Sequence, residues 1–299
     1  MMNIYIRSAA CIAPAAKPVA NRLVCMEPDY KTLIEPKVLR RMSRIIRMGV
    51  AAAKDCLHQA GGTIPDAIVT GSGYGCMEDT DVFLTDMIQR KEEGLQPATF
   101  IQSTHNTVGA QIALILQCTG YNNTFVHRGF SFENAVLDAI LLLQEGAAKT
   151  VLAGGVDELT DTSFEILSRF GVYRHVPAGE GAAFFVLSSE PGADDYAKLE
   201  GMATFYKPES RMEIQREVQL FLQKQAVDPA AIDLVIGEEI LPGTPTQPYK
   251  TQCGEYPTST AYAFWLAAGL IKSGTHKRIL IYNHYLGIHH AAFLLAAAS

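Results

Sequence analysis

The sequence predicts a layered α/β protein built from two similar halves, and three observations carry that reading. Short, continuous apolar strands alternate with helices along the chain. The order of these segments in the first half recurs in the second. Two helical stretches, Ala135–Leu143 and Ala261–Ile271, are apolar nearly all round. A helix without a polar face belongs between other layers rather than at the surface. With 299 residues, the chain has the length of one large α/β domain or two smaller ones.

The elements follow in order. A helical stretch over Val38–Gln59 precedes the turn Ala60–Pro65 and the strand Asp66–Gly71. Its counterpart over Ser210–Gln225 precedes Val227–Ala230 and the strand Asp233–Gly237. Each half then supplies an apolar helix, a buried strand (Thr150–Gly155, Arg278–Tyr282) and a closing strand. The closing strands, Gly181–Leu187 and His290–Leu295, share the tripeptide Ala-Ala-Phe. Unbroken apolar runs of this length imply mostly parallel strands covered on both faces.

Composition excludes several classes of function. The net charge of −6 does not favour nucleic acid or anionic membranes as partners. No apolar run approaches the roughly 18 residues needed to span a bilayer. The N-terminal stretch has Arg7 inside its apolar run and no basic region before it, so it does not read as a signal peptide. The six cysteines show no paired spacing, which is expected of reduced thiols in the cytoplasm. No zinc spacing occurs, and adjacent His289 and His290 would point opposite ways on a strand, so no metal is expected.

Two motifs carry weaker signals. Gly71-Ser-Gly73-Tyr-Gly75 follows a strand, but Cys76 stands where the dinucleotide fingerprint needs its third glycine. Close packing explains these glycines better, and no cofactor is expected. Gly129-Phe-Ser131-Phe-Glu133 begins like a nucleophile elbow but ends in Glu133, which makes Ser131 a helix-start residue first. Lys37, Arg40, Arg41, Arg44 and Arg47 recur at helical spacing. They form either a solvated face or a local basic patch suited to an acidic protein or a phosphate group. Glu238, Glu239 and Glu255 follow strand and turn positions, where a carboxylate can face a cleft.

Taken in order, five segments resemble the β-ketoacyl synthases of the thiolase fold. Asn106-Thr-Val-Gly109-Ala110 looks like the family's Asn-containing loop, and Gly120 through Asp138-Ala139 like its strand, nucleophile turn and buried helix. Ala153-Gly154-Gly155 before Asp157 resembles its A-G-G-x-(D/E) strand end. Gly179-Glu180-Gly181-Ala182 is similar to its G-(D/E)-G-A turn, and Lys250 through Gly254 keeps the spacing of its K-x-x-x-G-H motif. The resemblance implies duplicated α/β halves in a five-layered α-β-α-β-α sandwich. It places the halves at residues 1–190 and 191–299, packed as one globular unit.

The departures from the family are more informative. The catalytic Cys of the family falls on Gly129, counted nine residues back from Asp138. Its two catalytic histidines fall on Glu238 and Glu255. Condensation needs a thiolate to carry the acyl chain and neutral imidazole donors to stabilise the enolate left by decarboxylation. None of these groups is present at the matched positions, so the chain is not expected to condense acyl groups alone.

The family's chain-length factors lack the nucleophile and pair with an active synthase. By resemblance, this chain is expected to be such a subunit in fatty-acid or polyketide (aryl-polyene-type) synthesis. Its partners would be an active synthase or a second copy, together with acyl carrier protein. The strand segment Thr124, Phe125 and Val126 would pair across the dimer, and Gln102, Ser103, Thr104, His105 and Asn106 would approach the partner's acyl tunnel. Carrier protein would dock on Lys37, Arg40, Arg41, Arg44 and Arg47. Two alternatives stay open at this stage. One is an acyltransferase or hydrolase using Ser131 and His127 with Glu238 and Glu255. The other is a carrier-binding scaffold.

Overall fold

The structure, a computed structural model, describes residues 4–15 and 17–298. The first half runs β1 (Ile4–Ile12), α1 (Pro36–Leu39), α2 (Arg44–Gln59), β2 (Ala67–Gly71), α3 (Met77–Gln89), α4 (Pro97–Ser103) and α5 (Thr107–Leu116). It continues with β3 (Tyr121–Phe125), α6 (Ser131–Gln144), β4 (Thr150–Asp157), α7 (Asp161–Arg169) and β5 (Gly181–Ser188). The second half is more economical: β6 (Ala197–Tyr206), α8 (Arg211–Lys224), β7 (Leu234–Ile236), β8 (Thr246–Gln247), α9 (Lys250–Cys253), α10 (Ser259–Lys272), β9 (Arg278–Tyr285) and β10 (His289–Ala296).

Hydrogen bonding joins the strands in the order β3-β2-β4-β5-β1-β6-β10-β9-β7-β8. Read outward from the central β1–β6 pair, both halves have the same order, so the repeat in the sequence is a repeat in topology. Two aspartates mark it at side-chain level. Asp66, just before β2, accepts the backbone N–H groups of Lys149 and Thr150 at 2.9 Å each. Asp233, just before β7, accepts those of Lys277 and Arg278 at the matching start of β9. These backbone donors hold both carboxyls below their ordinary pKa.

The strands are not mostly parallel, contrary to the sequence expectation. β2 runs parallel to β3 and β4, and β7 to β8 and β9, while β1, β5, β6 and β10 pair antiparallel with all their neighbours. Burial on both faces produces continuous apolar strands whatever their direction. Here that burial comes from three helical layers. One apolar cluster joins α2 and α5 to the outer face of β1, β2, β4 and β5, and another seats α8 on β6, β7, β9 and β10. Between them, α6 and α10 form the central layer, with Phe132, Phe185, Phe264 and Phe293 packed ring against ring. The result is the five-layered sandwich.

A second correction concerns the first helix. Residues 40–43 form a turn that divides the expected Val38–Gln59 helix into α1 and α2. Ser43 is extended (φ −67°, ψ 171°) at the N-cap of α2. A cap residue outside the helical region starts a new helix rather than continuing the old one. The five basic residues therefore do not share one helical face. The glycine run after β2 packs tightly: a Cβ on Gly71 would lie 2.5 Å from the carbonyl oxygen of Ser131, and the N–H of Gly73 donates to Asp157.

Candidate functional site

The turn between β3 and α6 holds the position matched to the family nucleophile. Arg128 lies in the left-handed region (φ 52°), a strained conformation that tips the next residue into the fold. That residue is Gly129, which is buried. The hydroxyl of Ser131 accepts the N–H of His127 and donates to the carbonyl of Arg128, both at 2.8 Å. Ser131 is fully buried, and its proton and acceptor capacity close this turn. The exposed His127 uses Nδ1 to accept from Asn134. Ser131 and His127 therefore do not form the nucleophile and base required of a hydrolase or acyltransferase, and that alternative is set aside.

Glu255 is buried, and both its oxygens accept from Lys250 Nζ, at 3.0 and 2.8 Å. Lys250 also donates to the carbonyl of His284. Glu238 is exposed and accepts from His284 Nε2 at 2.9 Å. The other ring nitrogen of His284 accepts from the N–H of Gly287, which puts the imidazole proton on Nε2. The bond from His284 holds the Glu238 carboxyl below its ordinary pKa. Gly129 lies against Tyr285, the residue after His284. The three matched positions therefore approach one dipeptide at the end of β9. They do not share one buried point, because Glu238 stays in solvent. None offers the proton donor that an enolate needs.

Reading the sequence alone missed three groups near this site. Tyr285 is 1% exposed, and its hydroxyl meets that of Tyr74 at 2.9 Å. Asp157 is buried and takes hydrogen bonds from Ser72, Gly73 and twice from Thr258, tying β4 to the loops of both halves. Burial raises its pKa to about 6 against those bonds. Glu133 ends a buried chain in which Tyr249 donates to Asn283, Asn283 to Thr260, and Thr260 to Glu133 Oε1. Its other oxygen has no partner. A carboxylate inside an otherwise apolar helix was the available signal.

Burial raises the Glu133 pKa to about 7. A carboxyl raised on folding stabilises below its unfolded value and loses that contribution as pH climbs through the folded value. Stability should therefore fall between about pH 4.5 and 7, with Asp157 and Glu158 (also raised to about 7) acting in the same direction. For Glu133 the ceiling is about 3 kcal/mol. Urea unfolding at several pH values should show a shallower decline in Glu133→Gln. A slope identical to that of the parent would remove Glu133 as a contributor.

The remaining candidates lie on two surfaces. Among the described residues nothing pairs with the outer edge of β3, and Thr124, Phe125 and Val126 are half-buried there. Beside it, a cleft of about 730 Å³ runs between α5 and β3, lined by Asn106, Ala110, Leu114, Cys118, Asn123 and Thr124. Gln102, Ser103 and Thr104 form the end of α4 and the turn after it, tied back to Arg41, Phe100 and Ile101. His105 packs over Gly75. A second groove, of about 1170 Å³, is lined by Lys37, Arg40, Arg41 and Arg47 on one side and by α3 and α4 on the other. Arg44 does not serve this groove as a free cation: its guanidinium is committed to Glu27 and Glu180.

A family model for the β-ketoacyl synthase N-terminal domain matches residues 19–191, more than half of the chain. The chain belongs to the β-ketoacyl synthase family. Solved structures agree with this ketosynthase-type fold. The ishigamide ketosynthase/chain length factor superposes with a TM-score of 0.85 at 16% identity, over 100% of both chains. A β-ketoacyl synthase from Burkholderia phymatum STM815 gives 0.82 at 14% identity, again over 100% of both. The complex of a ketosynthase with its chain length factor from Xenorhabdus doucetiae gives 0.80 at 13%, covering 99% of this chain and 98% of that one. At such identities the likeness establishes the fold. No curated protein matches this ketosynthase-family chain in sequence.

Proposed function

We propose that this chain is a non-catalytic subunit, like a chain length factor, that pairs with an active β-ketoacyl synthase in fatty-acid or polyketide synthesis of the aryl-polyene type. Gly129 carries this reading. Without a side chain at the nucleophile turn no acyl-enzyme forms, and the neighbouring carboxylates supply no oxyanion donors. Supporting it, the similar structures include a ketosynthase/chain length factor, a ketosynthase in complex with its chain length factor, and an acyl carrier protein in complex with its ketosynthase. The two halves, residues 1–190 and 191–299, act as one unit in the cytoplasm.

In this reading the β3 edge pairs with the same edge of the synthase, and Gln102–Asn106 closes the far end of the partner's acyl tunnel. Carrier protein docks on Lys37, Arg40, Arg41 and Arg47, where cations line a groove that also has apolar walls (Val38, Met42, Val82). That combination suits an acidic amphipathic helix. The test is co-expression with a Cys-bearing ketosynthase, followed by mass analysis of the products. Co-purification and a change of product length in variants at Gln102–Asn106 are expected. Failure to co-purify, or an unchanged product distribution, would sink the assignment.

A further inference from the structure

We propose that Tyr285, anchored by Tyr74, is a permanent plug that fills the space beside residue 129 and keeps the thioester end of any acyl group out of this subunit. The argument starts from what a side chain at position 129 would meet. A Cβ there would lie 2.4 Å from Tyr285 Cβ, 2.9 Å from its Cγ and 3.0 Å from His289 Cβ. Real Cβ atoms do not approach other atoms at the shortest of these distances. The contacts are mostly with Cβ atoms, whose positions the backbone sets, so a change of rotamer does not relieve them. Tyr285 and His289 face each other across the β9–β10 hairpin. Leu286 and Gly287 in its turn both have positive φ (57° and 63°), which keeps the hairpin tight over the nucleophile turn.

Neighbouring groups hold the plug in place. Its phenol meets the Tyr74 hydroxyl at 2.9 Å, and Tyr74 comes from the glycine run after β2. The ring of Phe130 stands edge-on to His289 at 4.7 Å, so the residue after Gly129 presses on the same hairpin. Gly129 is therefore required by packing, and losing the nucleophile was only part of the change. The proposal rests on the reading of the chain as a non-catalytic subunit and sharpens it: the thioester end of the growing chain is held on the partner's side.

Two measurements on the isolated full-length chain test this. In Gly129→Cys, the melting temperature should fall by roughly 5 °C or more. Peptide mapping after native iodoacetamide treatment should find the thiol at 129 unmodified. A stable variant that is alkylated at 129 would show an open pocket and overturn the plug. The second measurement needs no variant. Octanoyl-pantetheine in its non-hydrolysable amide form should give no titration heat up to about 1 mM, and no hydrogen-exchange protection at residues 285–289. Saturable binding with protection there would overturn the proposal even if Gly129→Cys does not fold. Neither result depends on pairing with a synthase, so the two readings fail separately.

Discussion

Replacing Glu180 with alanine is expected to cost about 3–5 kcal/mol, a large share of the roughly 5–15 kcal/mol that keeps a domain folded. Glu180 is fully buried in the turn before β5, and four donors converge on its two oxygens. Oε1 accepts from the backbone N–H of Cys25 at 2.8 Å and from Arg44 at 2.6 Å. Oε2 accepts from Arg44 at 2.6 Å and from the backbone N–H of Leu159 at 2.9 Å. The carboxylate thus joins the N-terminal strap, the start of α2 and the loop after β4. Alanine would leave two backbone donors without partners and a half-buried guanidinium facing a void. Removing one member of a buried pair leaves an uncompensated charge, which costs more than removing both. The double replacement Arg44→Met with Glu180→Leu should therefore be less damaging than Glu180→Ala alone. Guanidinium unfolding of the three proteins checks the order, and a Glu180→Ala midpoint equal to the parent's would contradict it.

This ion pair also shows where sequence reading stops. Glu180 was visible as part of the G-E-G-A turn, and Arg44 as one of five regularly spaced cations. Nothing local connects residues separated by 136 positions, so Arg44 was grouped with the basic face by spacing alone. The repeat was easier to see because each half must solve the same burial problem. Asp66 and Asp233 stand at matching starts of strands, and Ala-Ala-Phe recurs in β5 and β10 because both closing strands are covered on both faces. Strand direction was not legible for the same reason, since burial determines the apolar run and the connection determines the direction.

The candidate site could be located from the sequence as three positions, Gly129, Glu238 and Glu255, because motif spacing places residues along the chain. Their surroundings could not. That Glu255 pairs with Lys250 and that Glu238 faces solvent beside His284 are set by packing within the second half, whereas Tyr285 covers Gly129 because the β9–β10 hairpin of one half meets the turn of the other. The contact between Tyr285 and Gly129 arises from the packing of layers, which no window of sequence contains.

The second large effect is expected at the β3 edge. Leu114 on α5, Tyr121 on β3, and Leu137 and Leu141 on α6 are 69%, 43%, 42% and 43% exposed, an apolar group beside an unpaired strand. An open edge flanked by exposed leucines is unfavourable in an isolated chain and suits an interface. Leu137 and Leu141 are one helical turn apart, so both meet the same partner surface. The double variant Leu137→Glu/Leu141→Glu should leave the isolated chain within about 0.5 kcal/mol per site of the parent, as surface substitutions do. In a complex, each leucine is worth roughly 1.5–3 kcal/mol when buried, and each glutamate adds the cost of desolvating a charge. Together these predict at least about a thousandfold weaker association with the ketosynthase proposed as its partner. Leu220→Glu on α8, in the opposite outer layer, should change neither stability nor pairing. Sedimentation of the mixed subunits reads the difference, and undiminished pairing in the double variant would move the interface away from β3.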